Sequence, residues 1–338
     1  MKTEKLRFYS QHALSNLLPR AVYRKRLQSE LKQIQGYNRE QIDDRVNYYL
    51  KAQSPFRLSA TNSCMASEFC LKNNKSAYYY DLLSCLRYFP RDLRFSYQFG
   101  DIRHVPDQPG FVKSRPISSD NANSVLFKLN SVRHFNFVDD PYRFEDKQDI
   151  AIFRGACHQT KRQQFLQACL GMPNTDIGDT RKQAMGLPEY RTPISIREHM
   201  KCKFIISVEG NDVASNLKWI LNSNSLCFMT RPQYETWFME GTLIPNHHYV
   251  LLKDDYSDLA EKIDYYRHHH SEARHIIHNA QSFARVFQDA RKERLISLLV
   301  MNNYFSLSHH YDPAVSALKR PVTQNRPVLP PALSSLAD

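Results

Sequence analysis

Residues 203–228 constrain the fold more than any other part of this chain. Residues 204–208 form a short apolar run, which is typical of a strand buried on both faces of a sheet. A polar break containing a single glycine follows, and apolar residues then recur at helical spacing over residues 213–221. A second strand begins at residues 225–228. The pattern therefore predicts a β-α-β unit.

The break in this unit is Glu209-Gly210-Asn211-Asp212. We expect Asn211 or Asp212 to cap the following helix. A strand that enters a helix through a glycine turn leaves free N–H groups and the positive end of the helix dipole at the carboxyl edge of the sheet. The segment therefore predicts a phosphate-binding site at that edge. A structural corner without a ligand is the alternative interpretation.

Glycine is scarce in the chain, with 9 in 338 residues against the ~7% that is usual. Gly100, Gly155 and Gly210 each lie just after an apolar run, and we expect each to occupy a backbone position that other residues tolerate poorly. Neither G-x-G-x-x-G nor a P-loop motif occurs. This argues against a dinucleotide fingerprint and a P-loop ATPase.

The composition indicates a protein that stays in the cytoplasm. No window approaches the ~18 apolar residues of a membrane span, and the first residues lack the apolar core of a secretory signal. The seven cysteines are scattered without a C-x-x-C pair, so neither a disulfide framework nor a zinc ribbon is indicated. Histidine runs lack ligand spacing and are expected at the surface.

The net charge of +12 is concentrated near the N-terminus, where residues 1–36 carry eight Lys or Arg and two Glu. Such a region attracts a phosphate-rich partner, which can be nucleic acid, an anionic membrane surface or a phosphorylated glycan. A simply solvated helical face is the alternative.

Strands alternate with helices along the chain, which predicts an α/β architecture with parallel strands. We expect a first domain at residues 1–148, including a helical, basic N-terminal region; the family resemblance described below implies that it is the acceptor-side domain. A second domain is predicted at 149–310. The proline-rich residues 311–338 are predicted to be a disordered tail.

Two groups of side chains can carry chemistry. Arg154 and Gly155 follow a predicted strand, and Arg162 comes in the helix beyond, so a guanidinium and helix N–H groups can meet a phosphate. An arginine bridging to a carboxylate is the alternative for Arg154. Asp101 follows an aromatic strand and Gly100, where a carboxylate whose pKa is raised by partial burial can act as a general base.

For Asp101 the alternative is an ordinary turn residue, and His104 is a weaker second candidate for the base. No Asp-x-Asp occurs, so the usual acidic clamp for a metal-bound nucleotide sugar is missing.

The order and spacing of these motifs resemble glycosyltransferase family 90, and the bacterial branch most closely. The resemblance rests on three groups of residues: Phe153-Arg154-Gly155 with Arg162, Lys201-Cys202-Lys203-Phe204 leading to Glu209-Gly210-Asn211, and Ser223-Asn224-Ser225-Leu226. The KSRP run at residues 113–116 and the YETWF run at 234–238 add to the likeness.

This resemblance implies a GT-B fold, in which two Rossmann-like domains face each other across a cleft. It also implies an inverting transfer of a sugar from a UDP-sugar without a metal or other cofactor. By position, Asp101 matches the family's general base, and Arg154 and Arg162 match donor-phosphate positions. Gly210 matches the glycine turn of the donor domain, with Gly155, Asn211 and Asp212 beside the donor.

One position departs from the family, because Asn216 stands where relatives carry an arginine. Lys218 is the candidate that supplies the charge instead. Ser225 and Glu240 are candidates for contacts with the ribose or the sugar hydroxyls.

The predicted function is transfer of a hexose to the lipopolysaccharide or lipooligosaccharide core, with the basic N-terminal region at the inner leaflet of the membrane. No nucleic-acid partner is expected. A non-enzymatic nucleic-acid-binding protein and an inactive transferase-like scaffold are the alternatives. The first lacks an RNP, KH or helix-turn-helix signature, and the second has only the departure at Asn216 in its favour.

Overall fold

A computed structural model describes residues 2–16, 18–71 and 76–308. The predicted disordered tail at 311–338 lies outside the described residues. The helices of the described part are α1 (Lys2–Asn16), α2 (Arg20–Lys32), α3 (Arg39–Tyr49), α4 (Ser76–Leu86), α5 (Ser131–His134), α6 (Thr160–Cys169), α7 (Ile196–His199), α8 (Leu217–Asn222), α9 (Leu259–His268), α10 (His270–Arg285) and α11 (Ala290–Leu307).

The strands of the described part are mostly short. They are β1 (Cys64–Met65), β2 (Arg94–Phe95), β3 (Tyr97–Gln98), β4 (Gly110–Val112), β5 (Ser114–Pro116), β6 (Ser124–Leu126), β7 (Gln148–Gly155), β8 (Thr175–Asp179), β9 (Cys202–Ile206), β10 (Leu226–Met229), β11 (Tyr234–Thr236) and β12 (Val250–Leu251).

Five strands form a parallel sheet in the order β12-β10-β9-β7-β8. Strand β9 lies in the middle, and all five of its residues are buried. Its side chains alternate between two hydrophobic cores, because Ile205 packs into one while Phe204 and Ile206 pack into the other. Burial on both faces explains the uninterrupted apolar run, and the predicted α/β class with parallel strands is confirmed.

A second, smaller parallel sheet is built from β3, β4 and β6. The rest of the described structure before residue 148 contains the helices α1 to α5, the antiparallel pair β1-β2 and long loops. Strand β5 lies between β4 and β6 in the chain and pairs antiparallel with β11, which lies between β10 and β12. This pairing joins the two halves of the chain.

The larger hydrophobic core extends across both halves. It includes Leu27 of α2, Phe111 of β4, Trp237 and Leu299 of α11. The long helix α11 comes last in the described chain and packs against α2, α3 and α4. The C-terminal segment is therefore part of the core of the N-terminal half.

The predicted start of the helix after Gly210 was wrong. Helix α8 begins only at Leu217, and the Asn216 side chain makes no capping hydrogen bond. Asn211 and Asp212 do not cap it, because their side chains bond to residues of the smaller sheet's edge. A turn therefore separates the glycine from the helix.

The glycine prediction holds only in part. Gly100 has a φ of +122°, a conformation that other residues rarely adopt. Gly210 is not among the residues with positive φ.

Candidate active site

The candidate site forms where the carboxyl edges of the two parallel sheets meet. Asp101 lies three residues beyond β3 and Lys113 lies one residue beyond β4. Because these strands are parallel neighbours with Gln98 opposite Val112, the two side chains emerge at the same edge. Asn211 and Asp212 follow β9 at the corresponding edge of the larger sheet. Ligands of open α/β sheets bind at such edges.

Lys113 connects the two edges. Its Nζ lies 2.5 Å from Asp101 Oδ1 and 2.7 Å from Asp212 Oδ2, and only 2% of its side chain is exposed. Asn211 Nδ2 donates a hydrogen bond of 3.3 Å to Asp101 Oδ2. The candidate base thus lies directly against the segment that was predicted to bind the donor.

The electrostatics of the three charged groups follow from burial and from this pairing. Burial raises the pKa of Asp101, but the charge and hydrogen bond of Lys113 outweigh it, and the pKa is lowered from its usual value. Burial lowers the pKa of Lys113, but Asp212 and Asp101 outweigh it and raise the pKa. For Asp212 burial prevails and raises the pKa. The expectation that partial burial raises the pKa of Asp101 was therefore wrong, because it did not include Lys113.

Arg162 is held directly beside Gly210. Its Nε and Nη2 donate to the Val208 carbonyl at 3.2 and 3.0 Å, and its Nη1 donates to the Ala156 carbonyl at 3.0 Å. A Cβ built on Gly210 would lie 3.5 Å from Arg162 Nη2. The guanidinium is thus fixed by the ends of β7 and β9 next to the glycine turn, as an anion site requires.

Arg133 is a residue of the site that the sequence interpretation missed. It lies on α5 with an exposed side chain. For Asp101, burial raises the pKa, while Lys113, Asn211 and then the positive charge of Arg133 lower it. For Arg162, burial is the largest cause of the lowered pKa, and the charge of Arg133 lowers it further. Within the part of the chain that the structure describes, its guanidinium has no ion-pair or hydrogen-bond partner. The sequence signal that could have identified it is its position seven residues beyond β6, at the sheet edge that also carries Asp101.

Helix α5 is anchored by a buried carboxylate. Asp81 of α4 accepts hydrogen bonds from the Ser131 backbone N–H at 2.8 Å and from Ser131 Oγ at 2.7 Å. Burial raises the pKa of Asp81 to about 7. Asp81 therefore fixes the start of the helix that carries Arg133.

Arg154 is not directed to a ligand in this structure. Its Nη1 donates to the Asp176 carbonyl at 2.7 Å, and its Nη2 forms an ion pair with the Asp176 carboxylate. Asp176 lies on β8, the neighbouring strand, and 8% of the Arg154 side chain is exposed. Arg154 therefore forms an ion pair with a carboxylate, which was the alternative interpretation. Its partner lies on the adjacent strand and not across the domain junction. Gly155 ends β7, and a Cβ there would come within 2.8 Å of the Phe153 ring.

Ser225 lies at the opposite edge of the sheet from Gly210. It precedes β10, donates through Oγ to the Cys202 carbonyl at 2.8 Å, and accepts from Lys147 Nζ at 2.9 Å. Because β9 and β10 are parallel, the start of β10 lies at the amino edge. Ser225 therefore lies at the edge away from Gly210, and its contact with the ribose or the sugar hydroxyls stays a prediction.

Lys218 and Glu240 are paired with each other. Lys218 Nζ lies 2.5 Å from Glu240 Oε1, and neither side chain is exposed. Glu240 also accepts from the Thr236 backbone N–H at 2.6 Å. Neither charge reaches the surface of the site, and the donor contacts expected for both residues stay predictions. Asn216 is bonded to Ser207 through the two side chains at 3.2 Å.

Among the residues that the structure describes, no cluster of three or more His, Cys, Asp or Glu side chains has the arrangement of a metal site. The helices of the same residues include none long and apolar enough to cross a membrane.

Two parallel sheets whose carboxyl edges enclose a carboxylate and a fixed arginine are an arrangement suited to group transfer from an anionic donor. Residues 130–324 match the sequence profile of glycosyl transferase family 90. The chain belongs to this family and is a glycosyltransferase, so the resemblance seen in the sequence is confirmed.

The relatives extend this assignment. The chain is 43% identical over 308 residues to the O-glucosyltransferase LpsA of Dichelobacter nodosus, covering 90% of this chain and 96% of the relative. It is 36% identical over 92 residues to protein O-glucosyltransferase 2 of Danio rerio, covering 27% of this chain and 18% of that protein. It is 28% identical over 149 residues to protein O-glucosyltransferase 3 of Homo sapiens, covering 41% and 28%.

Proposed function

We propose that this glycosyltransferase moves glucose from UDP-glucose to a hydroxyl of the lipopolysaccharide or lipooligosaccharide core, with inversion and without a metal. The observation that carries the proposal is the contact between Asp101 and Asn211, which brings a carboxylate from one sheet edge to the glycine turn of the other. The sugar is proposed to be glucose because the three relatives are named as glucosyltransferases.

In this mechanism Asp101 is the general base. Its carboxylate is ionised at neutral pH, because its pKa is held below the usual value. It accepts the proton of the acceptor hydroxyl while that oxygen forms a bond to the anomeric carbon. The bond from the anomeric carbon to the UDP oxygen breaks on the opposite face, and UDP leaves with the electron pair. The configuration at the anomeric carbon is thereby inverted.

The leaving diphosphate gains negative charge as this bond breaks. Arg162 is fixed beside Gly210, and Arg133 presents an exposed guanidinium near both Arg162 and Asp101. The Arg162 guanidinium, held in place before the reaction, stabilises the developing charge without reorganisation, and Arg133 adds a second positive charge. Lys218 has no part in this proposal, because Glu240 neutralises it in the interior.

The proposed arrangement is of the GT-B type, with an acceptor domain at residues 1–148 and a donor domain at 149–310. The two parallel sheets with facing carboxyl edges support it. The acceptor-side domain carries Asp101, and the donor domain carries Arg162 and Gly210. We place the enzyme in the cytoplasm at the inner leaflet, where its acceptor is anchored by lipid.

A UDP-release assay tests the function. The purified enzyme is given lipooligosaccharide core acceptor with UDP-glucose, UDP-galactose or UDP-xylose, with and without EDTA. We expect release from UDP-glucose, unchanged by EDTA, and a product whose anomeric proton shows inversion. Loss of release in EDTA would contradict the metal-independent mechanism, and a retained configuration would contradict the role of Asp101.

The Asp101→Asn variant tests the base. It keeps the size of the side chain and the bond from Asn211 but cannot accept the proton. We expect transfer to fall by roughly 10²-fold or more, with UDP affinity unchanged. Asp107→Asn is the matched control, because Asp107 is an exposed aspartate in the same loop. Wild-type turnover in the Asp101→Asn enzyme would show that another group is the base.

A further inference from the structure

Helix α1 has exposed leucine side chains on its outer side. Leu6 is 69% exposed and Leu14 is 67% exposed, and Leu18, in the turn before α2, is 47% exposed. At 100° per residue, Leu6 and Leu14 lie within about 80° of each other and face away from Phe8 and His12. Phe8 and His12 form the inner side of the helix, where the His12 ring stacks on Tyr80 at 5.2 Å.

Arginine side chains cluster beside the end of this helix. After burial, the charge of Arg91 has the largest effect on the pKa of Arg20, and Arg87 and Arg24 lower it further. Three other arginines therefore lie near enough to Arg20 for their charges to act on it. The cluster adjoins α1, because Arg87 Nη1 donates to the Ser15 carbonyl at 2.9 Å, one residue beyond Leu14.

Exposed leucines next to concentrated positive charge match the chemistry of a bilayer interface. Apolar side chains of a surface helix enter the boundary between headgroups and acyl chains, and arginines bind the lipid phosphates. A nucleic acid would use the arginines but leave the three leucines in water. Charge complementarity together with the leucines therefore favours an anionic lipid bilayer.

We propose that Leu6, Leu14, Leu18, Arg20, Arg24 and Arg91 form a docking surface for an anionic lipid bilayer. The inference deepens the proposed function and rests on it for the lipid-anchored acceptor. Helix α1 packs against α5, which carries Arg133 at the candidate site. A bilayer bound to this docking surface lies on the same half of the molecule as Asp101, where the acceptor must enter.

Vesicle flotation of the full-length enzyme, without donor or acceptor, tests the docking surface. We expect binding to phosphatidylcholine vesicles that contain phosphatidylglycerol, and weak binding to phosphatidylcholine alone. Replacing the leucines in L6Q/L14Q/L18Q should weaken binding roughly tenfold or more, and R24Q/R91Q should weaken it similarly and reduce its dependence on salt.

Matched controls come from exposed residues of the other half. Leu187 is 51% exposed and Met185 is 61% exposed. The M185Q/L187Q variant should bind vesicles as the wild type does. Unchanged circular dichroism and UDP affinity in every variant will show that the fold is intact.

Four results would overturn the docking surface. The first two are a wild type that does not bind anionic vesicles and leucine variants that bind them as the wild type does. The others are a wild-type dimer that the leucine substitutions convert to monomers, and binding to generic RNA that is tighter than binding to vesicles. The vesicle assay measures no transfer. If the enzyme binds vesicles but is inactive on core acceptor, the proposed function is refuted and the docking surface stands.

Discussion

Lys113 Nζ lies 2.5 Å from Asp101 Oδ1, so the proposed base is held in an ion pair before any substrate binds. Lys113 is buried and also reaches Asp212 at 2.7 Å. The base and the segment after β9 thus share one cation. Movement of Asp212 when the donor binds would change the charge that Asp101 experiences.

Replacing Lys113 by Met should shift the pH profile of transfer. The pKa of Asp101 is lowered by Lys113 against the effect of burial, so removal of the cation lets the pKa rise. The acidic limb of kcat/KM against pH should move to higher pH by the same amount. Lys203→Met is the control, because Lys203 lies away from the site, where its Nζ is 2.8 Å from Asp149 Oδ1. An unmoved acidic limb in the Lys113→Met enzyme would separate Lys113 from the base.

Arg162 and Arg154 should respond differently to substitution by Gln. We expect R162Q to weaken UDP binding roughly tenfold or more, because a phosphate loses a charge-assisted hydrogen bond. In R154Q the ion pair with Asp176 is lost, so stability should fall by about 1–3 kcal/mol while UDP affinity stays within about twofold. Calorimetric titration with UDP and urea unfolding measure the two quantities. Equal losses of UDP affinity would restore Arg154 as a donor contact.

Lys218→Met should destabilise the fold and leave UDP binding intact. The substitution leaves Glu240 as an uncompensated buried carboxylate, which costs about 3–5 kcal/mol. The double variant K218M/E240Q should recover a large part of this loss, because no isolated charge remains. Denaturant unfolding of the single and double variants gives the comparison. A fall in UDP affinity in the double variant, with stability recovered, would contradict the structural role.

Asp81 predicts a pH dependence of stability. Its pKa is about 7 in the folded protein, above the ordinary aspartate value of 3.8 expected after unfolding. Between these values the unfolded chain ionises while the folded protein retains the proton, so stability falls as pH rises from about 4 to 7. The shift corresponds to about 4 kcal/mol at full size.

The Asp81→Asn variant isolates this contribution. The difference in unfolding free energy between Asp81→Asn and the wild type should change by several kcal/mol from pH 4 to pH 8, in favour of the variant at high pH. A difference that does not change with pH would show that Asp81 is already ionised in the folded protein. Chemical denaturation at each pH provides the measurement.

The sequence predicted the parts of the fold that depend on local patterns. The apolar run of β9 and its parallel partner β10 followed from hydrophobicity alone. The start of α8 was not predicted, because the Asp212 side chain pairs with Lys113, which lies 99 positions earlier in the chain, and does not cap the helix. Local capping rules contain no information about such a partner.

For the candidate site, too, the sequence predicted only a part of what the structure shows. Asp101 and Gly210 were placed correctly at strand ends, and the structure brings Asp101 to Asn211 beside that glycine. From the sequence, Lys218 and Glu240 were candidates for contacts with the donor, but in the structure they are buried against each other. Burial of a charge depends on whether a distant segment supplies its counter-ion, which a single sequence does not reveal.

The position of α11 has a consequence for biosynthesis. This helix supplies Leu295, Leu299 and Phe305 to the core that also contains Leu27 and Phe111. A ribosome makes residues 290–307 almost 200 positions after β4, at about 5–20 residues per second. Part of the apolar surface of the N-terminal half therefore stays uncovered until residues 290–307 have been translated.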